Sequence, residues 1–266
     1  GEGATMGVKD GLRYVVVGDT RSGILAVADT INNHPQATCY IDLFSVNPSV
    51  RKAAHEGYFG ASVLRQPEWF CFGDELLEGG EYTNPVDYIS KILFREHQEK
   101  AVGLCITYSM IRRYELYELF ADLTRLGDFC VIHVLRNPFE CLVSGLQAVQ
   151  TGVWRSFDKR MPAALHMPVQ PASSFVALHI EEHINTRNKL LRCLSDSVEL
   201  RYDDLTSCFD FVGKRLFEFL ELKPRQAVCR SQKLNDEPLY RRVCNLIQVE
   251  QKLPKQYRGY LYGDMQ

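Results

Sequence analysis

The chain has 266 residues, with 45% hydrophobic and 24% charged side chains and a formal net charge of −2. That length can bury one sizeable core, and that composition excludes disordered and fibrous classes. A charge so near zero gives no bulk attraction to nucleic acid or to an anionic membrane, so any anion site must be built locally.

In chain order, the first predicted strand is Arg13–Val17, a β-branched run that stops at Gly18. Helical spacing follows from Gly23 to about Asn33, where His34-Pro35 ends it. A short strand, Thr38–Ile41, leads into a loop carrying Asp42, and Val50–Pro85 reads as an irregular, aromatic-rich insertion on the substrate side. Further strands are expected at Ala101–Ile106, Phe129–Leu135 and Val198–Arg201. Helices are expected over Ser109–Leu126, from Pro138, and over Ser173–Leu194, Leu205–Leu220 and Pro238–Gln251. Met161–Pro171, with three prolines, reads as a loop and a candidate lid, and Tyr257–Tyr262 forms an aromatic tail. Alternating strands and helices predict an α/β fold, a mostly parallel central sheet with helices on both faces. Such sheets bind ligands at the carboxyl ends of their strands.

Nine cysteines, an odd number without a CxxC pair, argue against a disulfide framework and for a reducing, cytoplasmic setting. No stretch reaches the roughly 18 to 20 apolar residues that span a membrane. The opening GEGATMGVKD lacks the charged and then apolar run of a signal peptide. Gly1–Thr5 reads as a remnant ahead of a native start at Met6, with residues 6–266 forming a single domain. An anchor or targeting segment beyond this sequence is compatible with that reading.

Two strand-to-helix junctions carry the chemistry. In the first, Gly18-Asp19-Thr20-Arg21-Ser22-Gly23 has the glycine spacing of a phosphate loop opening a helix. The nucleoside-triphosphatase version continues with Lys and then Ser or Thr to hold magnesium, whereas Ile24 and Leu25 stand here. ATP chemistry of that type, including a nucleotide kinase, is therefore disfavoured, while Arg21 supplies a fixed charge that can fork onto phosphate oxygens. In the second, the strand delivers Arg136, Asn137-Pro138 turns the chain into a helix, and Ser144 follows eight residues after the arginine.

The pair resembles the 5′-phosphosulfate and 3′-phosphate elements of PAPS-dependent sulfotransferases, closest to the bacterial type. The matching residues are Arg21, Ser22 and Gly23, then Arg136 and Ser144. Similar segments continue at His34-Pro35 with Tyr40–Phe44, at Gly103–Tyr108, at Leu200–Leu205 with its Tyr202-Asp203-Asp204-Leu205, and at Lys233–Asn235 running on to Pro238, Leu239 and Asn245. Departures are Ile24 and Leu25 in place of two threonines, Cys105 where relatives often carry lysine, and Asp42 where many carry glutamate.

The resemblance implies a P-loop-like sulfotransferase fold and metal-independent, in-line transfer of a sulfuryl group from PAPS to an acceptor hydroxyl, leaving PAP. The acceptor would be a carbohydrate, glycolipid or small metabolite, with neither nucleic acid nor an integral membrane segment involved. Asp42 is the expected general base. Arg21 and the amides of Ser22, Gly23 and Ile24 are expected to steady the leaving phosphate. Arg136, Ser144, Arg230 and Lys233 would hold the 3′-phosphate. Tyr58, Phe59, Trp69, Phe70, Phe72, Tyr82 and Trp154 are candidates to line an acceptor cleft. Two other readings stand beside it: a catalytically silent PAP-binding relative, and a zinc peptidase through the H-x-x-E-H run of His179, Glu182 and His183.

Overall fold

The computed structural model describes residues 11–41, 89, 93–94, 97–125, 129–151, 164–167, 172–194, 197–229 and 237–263. Asp42, Arg230, Lys233 and the cleft aromatics Tyr58, Phe59, Trp69, Phe70, Phe72, Tyr82 and Trp154 lie outside them, as does most of Met161–Pro171.

Five strands, β1 (Leu12–Gly18), β2 (Ala37–Tyr40), β3 (Ala101–Thr107), β4 (Phe129–Leu135) and β5 (Ser197–Arg201), form one sheet in the order β2-β3-β1-β4-β5. Every pairing is parallel. All seven residues of β4 are buried, which is why its sequence is apolar apart from His133 and does not alternate. β1 sits at the centre, with Gly18 level with Thr107 of β3 and Val134 of β4.

The connections run outward in opposite directions from β1. Helix α1 (Ile24–Asn32) carries the chain towards β2, whereas α4 (Pro138–Thr151) and α5 (Ala172–Cys193) carry it from β4 to β5. Right-handed crossovers in opposite directions place their helices on opposite faces. With α1 goes α7 (Phe209–Phe219), where the Phe217 ring packs tilted against His34 at 4.9 Å. With α5 go α2 (Tyr108–Arg113) and α3 (Tyr117–Arg125). The core is one cluster built on Tyr14, Val15, Val16, Ile106, Val131 and Ile132, and a second cluster packs Phe139 and Val143 of α4 against Ile180 of α5 and Val249.

Three predicted helices are each two. Ser109–Leu126 divides at Tyr114–Leu116, because Glu115 adopts φ 50° and the Leu116 and Glu115 amides bond back to the Ile111 and Arg112 carbonyls. That is a Schellman ending closed by buried Leu116. Leu205–Leu220 divides at Cys208 into α6 (Tyr202–Ser207) and α7, and Glu221 (φ 53°) ends α7 in the same manner. Pro238–Gln251 divides into α8 (Leu239–Arg242) and α9 (Leu246–Lys252), where Val243 leaves the helix to form a parallel bridge with Leu165. The tail Lys255–Tyr262 is a 3₁₀ helix.

Candidate active site

Loops leaving β1 and β4 diverge, and these strands are neighbours, so their carboxyl ends form the switch-point crevice where open α/β sheets take ligands. Both junctions singled out from sequence open into it.

The β1 loop is tightly constrained. A side chain at Gly18 would meet Ser22 Oγ at 2.5 Å and the Val134 carbonyl at 2.8 Å, so only glycine lets β4 and the loop close over it. Asp19 starts the turn, its carbonyl accepting from the Ser22 amide (3.0 Å) and its Oδ1 from the Thr20 amide (2.7 Å). Arg21 adopts φ 71°, a left-handed conformation that non-glycine residues reach only at a cost of about 1–2 kcal/mol. Gly23 follows at φ 103°, at the N-terminus of α1, where a Cβ would lie 2.6 Å from the Tyr202 ring. Ser22 is fully buried, and among the described residues its Oγ has no hydrogen-bond partner.

The β4 loop is built by Asn137. Its Oδ1 accepts from the amides of Phe139 (2.9 Å) and Glu140 (3.2 Å), capping α4, and Pro138 takes the first helical position, where no amide is needed. Its Nδ2 donates to the Tyr260 carbonyl at 2.8 Å and ties the crevice to the C-terminal 3₁₀ turn. Arg136, 7% exposed, is thereby held at the crevice.

The two junctions meet. Arg21 Nε donates to Ser144 Oγ at 3.2 Å, and Arg136 Nη1 donates to the Arg21 carbonyl at 2.9 Å. Arg136 also pairs with Glu140 (Nε to Oε2, 3.1 Å) and lies 4.0 Å over the Tyr202 ring. Tyr202, the first residue of the Tyr-Asp-Asp-Leu segment, thus supports both Gly23 and Arg136. Arg21, Ser22, Gly23, Ile24, Arg136 and Ser144 therefore gather in one place. A loop with a left-handed arginine, an unpartnered buried hydroxyl and a helix N-terminus beside a second arginine suits phosphate oxygens. Leu25 offers no hydroxyl for magnesium.

Sequence reasoning missed what lies behind the loop. Asp19 Oδ2 accepts from His183 Nδ1 at 2.9 Å, and His179 Nε2, which bonds the Pro138 carbonyl at 3.1 Å, lies 3.3 Å from the same oxygen. Burial acts to raise the Asp19 pKa, but the histidine hydrogen bonds and charges win and hold the carboxyl well below the usual carboxylate range. Of the zinc-peptidase run, Glu182 pairs with Arg112 at 3.0 Å, while His183 bonds Asp19 and His179 sits between Asp19 and the Pro138 carbonyl. Among the described residues no group of three or more His, Cys, Asp or Glu side chains is arranged to hold a metal ion. Cys105 lies beneath α1, its Sγ 3.6 Å from Cys39 Sγ and 3.7 Å from the Ile24 carbonyl, so it contributes no charge to the site.

Among the described residues no helix is long and apolar enough to cross a membrane. No protein-family model matches the chain, and no curated protein matches it. Among solved structures, the crystal structure of a sulfotransferase from Alicyclobacillus acidocaldarius is similar to it, with 13% identity and a TM-score of 0.48 over 95% of this chain and 96% of that one.

Proposed function

We propose that the chain is a PAPS-dependent sulfotransferase that moves a sulfuryl group to the hydroxyl of a carbohydrate, glycolipid or small metabolite. The observation that carries the reading is the joining of the two junctions, Arg21 to Ser144 and Arg136 to the Arg21 carbonyl, into one cationic site at the switch point. A donor with a phosphosulfate at one end and a 3′-phosphate at the other calls for such a double site, whereas an NTPase needs the Lys and hydroxyl that Ile24 and Leu25 replace.

In the proposed reaction the acceptor oxygen attacks sulfur, the bond from sulfur to the phosphate oxygen breaks, and the acceptor proton passes to Asp42. PAP leaves with the bonding pair on its phosphate oxygen. Charge gathers on that oxygen, and Arg21, the first amides of α1 and the Ser22 hydroxyl are the donors to meet it. Arg136 and Ser144, with Arg230 and Lys233, take the 3′-phosphate. The apolar side chains of Ile24 and Leu25 leave backbone amides to do what threonine hydroxyls would.

The test is transfer of labelled sulfate from PAPS to a panel of hydroxyl acceptors. Transfer that Asp42→Asn slows by about 100-fold or more supports the reading, in the range expected for loss of a general base. PAP binding without transfer to any acceptor would identify a silent relative instead. Absence of PAP binding overturns both.

A further inference from the structure

From Pro138 to Ala148, apart from Cys141, the polar side chains of α4 are Glu140, Ser144 and Gln147. Spacings of four and three put them on one face. Each holds an arginine from a different part of the chain. Glu140 holds Arg136 and Ser144 holds Arg21, while Gln147 Oε1 accepts from Arg242 Nη2 (2.9 Å) and Nε (3.2 Å). Three guanidinium groups thus line one helix face that carries a single carboxylate.

Arg242 is the least exposed of them. It is 4% exposed, and among the described residues no carboxylate pairs with it. Burying a charge against a neutral amide costs several kcal/mol unless an anion answers it. Burial, and next the Arg136 charge, bring the Arg242 pKa down to about 10; Arg21 acts in the same direction, and Glu140 and Tyr202 oppose it. Its backbone is firmly held, since the Leu165 amide donates to the Arg242 carbonyl (2.7 Å) and the Cys244 amide to the Leu165 carbonyl (2.9 Å). Asn245 Oδ1 also accepts from the Met167 amide at 2.9 Å.

We infer that Arg242, positioned by Gln147, is a third arginine for the nucleotide's 3′-phosphate and sets preference for a 3′-phosphorylated nucleotide over one with a free 3′-hydroxyl. The inference rests on the donor reading above. A dianionic phosphate beside Arg136 would neutralise Arg242, whereas a bare hydroxyl would leave it uncompensated.

Calorimetric titration with PAP and ADP tests it in the wild type, in Arg242→Met, and in Gln147→Glu. The last keeps the arginine but gives it an internal carboxylate. Both variants should lower PAP affinity by about 10- to 100-fold with little change for ADP, the loss expected for a charge-assisted hydrogen bond. Gln147→Glu should also raise the Tm of the free protein. If Arg242→Met does not fold, Gln147→Glu decides alone. A wild-type preference for PAP that both folded variants retain overturns the inference and leaves the donor reading intact. A wild type without that preference overturns the donor reading itself.

Discussion

Ser22 shows how a single side chain separates stability from binding. Its hydroxyl is fully buried without a hydrogen-bond partner among the described residues, a state that costs about 1–3 kcal/mol in the free protein. Ser22→Ala should therefore leave the free protein as stable or more stable by about 1 kcal/mol, while PAP affinity falls by about threefold to tenfold. Denaturant melts read the first quantity and titration the second; a variant that loses stability and keeps affinity would mean the hydroxyl serves packing alone. Gly23 is the opposite case. Its φ of 103°, and a Tyr202 ring 2.6 Å from where an added Cβ would lie, leave no room for alanine. Gly23→Ala should lower stability by about 1–3 kcal/mol and reduce PAP binding with it. Thermal melts in the presence and absence of PAP would show both.

The elements were legible in sequence where local pattern decides. β1 and β4 announce themselves as apolar runs ending at Gly18 and Arg136, and Asn137-Pro138 marks the start of α4 because a capping amide and a proline suit a helix N-terminus. The end at Leu220 was read correctly, but the break after Tyr114 was not legible, since the residue taking the left-handed position there is Glu115 and no glycine flags the end. Glu115→Gly should relieve that strain and stabilise the protein by about 0.5–1 kcal/mol, read as a raised denaturation midpoint; a lowered midpoint would contradict the Schellman assignment. The pairing of Arg21 with Ser144 and the contact of Arg242 with Gln147 were hidden for another reason. They join residues 123 and 95 positions apart, which no local pattern reports, and the Tyr202 platform beneath Arg136 is equally non-local. The histidines beside Asp19 were visible as a motif but weighed only as a rival zinc pair, because spacing alone does not show which carboxylate the helix faces.

At the scale of the molecule, a nearly neutral chain brings Arg21 and Arg136 together at the crevice where β1 and β4 part, and buries a polar network beside it. Tyr108 hydrogen-bonds His133 of β4, and Arg187 pairs with Glu199 at 3.0 Å next to them. Burial first, then the charges of Arg187 and His183, push the His133 pKa down from 6.5 to about 3. The unfolded chain then binds a proton that the folded one refuses, so stability should fall as pH drops from about 6.5 towards 3, by up to about 1.4 kcal/mol per unit. Asp19 adds to the loss below about pH 4, where its unfolded form takes a proton and its depressed folded form does not. Denaturation midpoints across that range should flatten between pH 6.5 and 4 in His133→Gln. An unchanged slope in that variant would contradict the neutral, buried histidine. The central claim is that the joined junctions bind a nucleotide with phosphates at both ends. Titration of the wild type and of Arg136→Ala with PAP against ADP tests it most directly. The account predicts that the wild type binds PAP at least about tenfold more tightly than ADP, and that Arg136→Ala loses that preference. Equal affinity for the two nucleotides, or an Arg136→Ala protein that binds PAP as the wild type does, would contradict it.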